Sequence, residues 1–106
     1  MIAFFLSHYW SLNNLIIYVG RFSQLTQSKN QHVLVESFKK IYDSGIKDWK
    51  LVLAGGGEVG AEKYIEKLKS QAKSYPISIL VSPSFKVIQD LYTKAKIFWS
   101  AVGLEI

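Results

Sequence analysis

The feature that most restricts this chain is a regular alternation between two kinds of segment. Short, almost wholly apolar runs are followed by longer stretches whose apolar residues recur at helical spacing. Leu15-Ile16-Ile17-Tyr18-Val19 is rich in β-forming residues and is stopped by Gly20. After a polar loop, a helix is expected from about residue 29 to 43, with Leu34, Phe38, Ile41 and Tyr42 on one face. Ser28 followed by Gln31 has the form of a capping box, and Gly45 supplies the stop. Lys50-Leu51-Val52-Leu53-Ala54 then reads as a second strand, closed by Gly55-Gly56-Gly57. A second helix over about residues 61–74 turns Tyr64, Ile65, Leu68 and Ala72 inward, and Pro76 ends it. Residues 77–81 form a third strand and Ser82-Pro83-Ser84 a turn. A short helix over roughly residues 86–93 buries Ile88, Leu91 and Tyr92, and Ile97-Phe98-Trp99 opens a fourth strand.

Strands that are apolar throughout, alternating with amphipathic helices, predict an α/β fold: a Rossmann-like parallel sheet of about four strands with helices on both faces. Such sheets bind ligands outside the carboxyl ends of their strands. The unusual residues of this chain fall there. Gly20 and Arg21 follow the first strand and the triple glycine the second, while residues 82–85 and 100–103 follow the third and fourth. One rim and one site are expected.

The chain has 106 residues, enough for one small domain, and its 49% hydrophobic content can fill a core. A net charge of +5 favours anionic partners, but the lysines are scattered, which reads as a solvated surface and not a nucleic-acid footprint. There is no cysteine, so disulfides, thiolate metal sites and a cysteine nucleophile are excluded. His8 and His32 stand far apart without acidic residues at ligand spacing, and no metal site or cofactor is expected. Residues 1–9 are apolar but too short to span a bilayer, and they lack the charged start of a signal peptide. They read as part of an apolar leader over residues 1–14.

Gly20 and Arg21 with Lys29 form the first candidate site. Glycine lets backbone approach a ligand, arginine offers a forked donor to phosphate oxygens, and Lys29 falls at an expected helix start, where free N–H groups favour an anion. Together they can hold a diphosphate; the plainer alternative pairs Arg21 with a surface carboxylate and leaves Lys29 solvated. The second candidate, Gly55-Gly56-Gly57-Glu58-Val59-Gly60, has the G-x-G-x-x-G form of a dinucleotide loop. No acidic residue follows at the end of the next strand to hold a ribose hydroxyl. Ser82, Ser84 and Lys86 could instead take a ribose phosphate, an NADP-binding alternative, and a simple tight turn is the other. Tyr92, Phe98 and Trp99 are expected in the core, and Glu58, Glu62 and Glu66 on a solvated face. No residues make a general acid–base pair, so none is assigned a catalytic role.

From about residue 15 onward the chain resembles the donor-binding domain of group 1 (family 4) retaining glycosyltransferases of the GT-B fold. The resemblance is carried, in order, by Tyr18-Val19-Gly20-Arg21-Phe22, Ser28-Lys29-Asn30-Gln31, Phe38-Lys39-Lys40, Leu51-Val52-Leu53-Ala54-Gly55-Gly56, and the run from Leu91 through Trp99. It implies that Arg21 and Lys29 grip the diphosphate of a UDP- or GDP-linked sugar, and that Pro83, Ser84 and Phe85 contact the nucleoside. The implied reaction is transfer of the sugar to an acceptor hydroxyl with retention of configuration. The family's E-x7-E motif and acceptor domain fall outside these residues; Glu105 and His8 do not replace them. The expectation is therefore a partial nucleotide-sugar-binding domain over residues 15–106, inactive alone. The resemblance also implies a cytoplasmic protein that can associate with a membrane surface. A non-enzymatic domain that self-associates through an exposed sheet edge is the remaining alternative.

Overall fold

The computed structural model describes residues 14–23 and 30–99. Four strands, β1 (Asn14–Val19), β2 (Trp49–Gly55), β3 (Ile77–Val81) and β4 (Ile97–Phe98), form one sheet in the order β3-β2-β1-β4. Every pairing is parallel. Three helices connect them: α1 (Gln31–Asp43), α2 (Glu62–Ala72) and α3 (Phe85–Lys94). The Rossmann-like α/β architecture is thus the observed one, and the strands lie within a residue or two of their expected limits.

The order of strands decides where the helices go. The chain steps from β1 to β2 to β3 in one direction, then returns past β1 to β4. Right-handed crossovers put helices of opposite travel on opposite faces. Accordingly, Leu34, Val35 and Phe38 of α1 and Tyr64 and Leu68 of α2 pack on Ile16, Tyr18, Leu51 and Leu53. On the other face Leu91 of α3, flanked by the partly buried Val87 and Ile88, packs against Leu15, Ile17, Val52 and Ala54. The return places the reversal of direction between β1 and β4, where sheets of this kind open a crevice.

Two expectations for buried residues need correction. Tyr92 and Phe98 are not core: they are 46% and 62% exposed and meet edge to face beside the short outer strand β4. Only Trp99 of that trio packs against the core. Among the described residues no strand covers the outer flank of the two-residue edge strand β4, which periodicity along the chain cannot reveal. The capping box is the second. Asn30, in left-handed conformation at φ 58°, precedes α1, and no side chain caps the helix. Gln31 turns inward and is fully buried. Ser28, the apolar leader, residues 100–103 and Glu105 lie outside the described residues.

No helix among the described residues is long and apolar enough to cross a membrane. No group of three His, Cys, Asp or Glu among them could hold a metal ion.

Candidate functional site

Three strand-end loops are tied into one rim. Gly20 N–H donates to the Ala54 carbonyl at 2.9 Å, and Phe22 N–H to the Gly56 carbonyl at 2.8 Å. Glu58 N–H returns a bond to the Phe22 carbonyl at 3.2 Å, so Phe22 and Gly57 pair in parallel beyond the ends of β1 and β2. Ser82 N–H donates to the Gly55 carbonyl at 2.7 Å and brings in the loop after β3. The strands supply the direction, and these bonds carry the two central loops outward side by side.

That closeness explains the glycine run. A Cβ on Gly55 would collide with the main-chain carbonyl of Gly20. On Gly57 it would press on Val81 at 3.1 Å, whereas Gly56 has open space around it. Gly55 lets the two backbones approach, and Gly57 makes room for Val81. α2 starts only at Glu62.

Arg21 stands on this rim with 65% of its side chain exposed, while Phe22 beneath it is fully buried and fixes its place. Its Nε lies 4.0 Å from a Glu58 carboxylate oxygen, at the outer limit of an ion pair. The other Glu58 oxygen accepts a hydrogen bond from the buried Ser23 hydroxyl. Glu58 is therefore not on a solvated face, as its spacing from Glu62 and Glu66 suggests. It is three-quarters buried between the two loops. With the guanidinium largely in solvent and the separation at the 4.0 Å limit, the contact contributes under about 1 kcal/mol.

Behind Arg21 runs a buried polar chain. Gln31 Nε2 donates to the Arg21 carbonyl at 3.0 Å, and the Tyr64 hydroxyl donates to Gln31 Oε1 at 3.0 Å. His32 N–H donates to the Tyr64 oxygen, and its Nδ1 also lies 3.3 Å from it. Burial holds the Tyr64 phenol above the ordinary tyrosine pKa, against the opposing pull of the main chain at His32 and Gln31. This chain brings the start of α1 against Arg21. The first turn of α1 carries no acidic residue. Lys29, the second residue expected to grip an anion, lies outside the described residues.

Of the residues expected to contact a nucleoside, Phe85 is 75% exposed at the start of α3. Ser84 accepts a hydrogen bond from Val87 N–H at 3.3 Å and caps that helix. Pro83 is half-buried between them and Ser82. The bonds of Ser23 to Glu58 and of Gln31 to Tyr64 had no signal in the sequence, which gave Gln31 a capping role, Tyr64 an inward place and Glu58 a solvated one, because each pair spans more than thirty residues.

Two hollows, of about 360 and 200 Å³, lie toward the opposite ends of the strands. The larger opens beside Lys69, Lys73 and Tyr75, the smaller between Trp49 and Trp99. Neither is lined by Gly20, Arg21 or the glycine loop.

A family model described as Glycosyl transferases group 1 matches residues 13–105. No curated protein matches the chain.

Proposed function

This chain belongs to the group 1 glycosyltransferases, and on that premise we propose that its rim binds the diphosphate of a nucleoside diphosphate sugar. The observation that carries the reading is the bond from Gln31 to the Arg21 carbonyl, which holds a helix start with no acidic residue in its first turn against the main chain of Arg21, whose guanidinium is exposed. Arg21 then offers a forked donor, and Gly20, lacking a side chain, makes room for the Tyr18 ring that lies against it. The positive end of the α1 dipole favours the second negative charge, while the His32 and Val33 N–H groups are already given to the Tyr64 hydroxyl and the Asn30 carbonyl. Lys29, two residues before Gln31, supplies the other cation. The exposed ring of Phe85 offers a face for the nucleobase beside Pro83 and Ser84.

The donor carries uracil or guanine, and the reaction it serves is passage of the sugar to an acceptor hydroxyl with retained configuration. Among the described residues the rim provides a cation, amides and one carboxylate already bonded to Ser23. These bind and orient; none is assigned a bond-breaking step.

Calorimetric titration with UDP, GDP and NADP tests the reading. Saturable binding of UDP or GDP is expected, weakened roughly tenfold or more by Arg21→Ala, as for a lost charged hydrogen bond. Lys29→Ala should act in the same direction. Absence of nucleoside diphosphate binding in a folded sample would overturn it. So would preference for NADP with affinity indifferent to Arg21→Ala.

A further inference from the structure

Gln31 is fully buried, which is unusual for glutamine, and both ends of its amide are used. The reason lies in the ladder beyond β1. Phe22 gives its N–H and carbonyl to the loop after β2, and in a parallel ladder neighbouring residues direct these groups to opposite sides. The Arg21 carbonyl therefore faces away from β2. β4 lies on that side and, among the described residues, pairs with β1 at Ile16 and Ile17, short of Arg21. Gln31 Nε2 donates the bond that a neighbouring strand would otherwise supply.

We infer that Gln31, held by Tyr64, is a positioning residue that fixes the Arg21 main chain and thereby aims its guanidinium at the diphosphate. The inference rests on the proposed role of Arg21. Left alone, an arginine on a strand-end loop samples many directions, and binding must then restrict it. Tying its own carbonyl to the first residue of α1 removes that freedom before the ligand arrives, the support a binding residue needs from its surroundings. Tyr64 completes the tie. Its hydroxyl is donated to Gln31 Oε1, which leaves Nε2 turned toward Arg21, and the His32 N–H holds the phenol oxygen from the other side.

The test uses the full chain with Gln31→Met, Tyr64→Phe and Arg21→Ala, singly and combined. UDP and GDP affinities and urea unfolding midpoints are measured for each. Gln31→Met, similar in length but without donor or acceptor, should weaken binding about tenfold, and Tyr64→Phe about threefold. In the Arg21→Ala background both effects on affinity should vanish, while their effects on the unfolding midpoint persist. Unchanged affinity in Gln31→Met, or an equal loss with and without Arg21, would reduce Gln31 to a purely structural role and overturn the inference. If Gln31→Met does not fold, Tyr64→Phe decides by the same criterion, since it keeps the ring. Should Arg21→Ala itself leave affinity unchanged, the donor-site reading fails, a result distinct from an Arg21 effect that Gln31 does not share.

Discussion

The two faces of the sheet are built to different depths. Beneath α1 and α2, Phe22, Val35, Phe38, Leu51, Leu53 and Leu68 are all but inaccessible to solvent. Beneath α3 a single helical residue, Leu91, is fully covered, and the aromatic rings at Tyr92 and Phe98 stand open beside β4. The proposed diphosphate grip hangs from the first face: Phe22 roots the Arg21 loop, and Gln31 and Tyr64 come from the helices that cover it. The proposed nucleoside contacts, residues 83–85, belong to the second. The proposed anchor for charge and the proposed platform for a ring thus share one rim, each supported by the packing beneath it.

The contrast is broken most directly by truncation. Phe38→Ala should cost about 3–5 kcal/mol in urea unfolding, the range for a large ring removed from a packed core. Phe98→Ala should cost less than about 1 kcal/mol, as surface changes do. Equal losses would mean that the faces do not differ in energy as they do in burial.

Next come two adjacent glycines. Gly55→Ala forces a methyl group onto the Gly20 carbonyl and should cost about 1–3 kcal/mol, with weaker binding of UDP or GDP as the two loops part. Gly56→Ala meets nothing within 4 Å and should stay within about 0.5 kcal/mol of the parent. Thermal unfolding of the two variants separates a packing requirement from a general need for loop flexibility.

Alkaline stability distinguishes the faces more gently. Burial raises the phenol pKa of Tyr18 and Tyr64, both on the first face, with Tyr64 itself adding to the rise at Tyr18. A raised folded pKa means that the unfolded chain gives up its proton first. The stabilisation is present in full below the ordinary value of about 10 and is lost as pH climbs toward the folded values. Unfolding midpoints measured across that window should fall, and Tyr64→Phe should fall less steeply. The smallest effect belongs to the exposed pair of Lys86 with Asp90 on α3, at 4.0 Å. Lys86→Ala should change stability by less than about 0.5 kcal/mol in the same assay.

What could be read in the sequence follows from how far apart the partners are. Apolar runs and helical spacing are local, so the strands, the helices and the gathering of Gly20, Arg21 and the glycine loop at one rim were legible. Gln31 was not. Its position after Ser28 suggested a cap, yet its partners are a carbonyl ten residues back and a hydroxyl thirty-three residues ahead. Glu58 resembled a helix-surface carboxylate because Ser23, which binds it, lies on a different loop. Tyr92 and Phe98 carried the apolar signal of core residues, and only the place of β4 at the edge of the sheet shows that they are open. The glycine run displayed a nucleotide-loop pattern, and the structural cause of its first member, contact of Gly55 with the Gly20 backbone, appears only in three dimensions.

Backbone amide NMR during titration with UDP or GDP addresses the rim directly. Chemical-shift changes should concentrate at Gly20, Arg21, Gly56 and Gly57 and at the start of α3 around Phe85, with the amides near Lys73 and Tyr75 unmoved. Saturating changes confined to the Lys73–Tyr75 end, or none at the strand-end loops, would contradict a diphosphate site there.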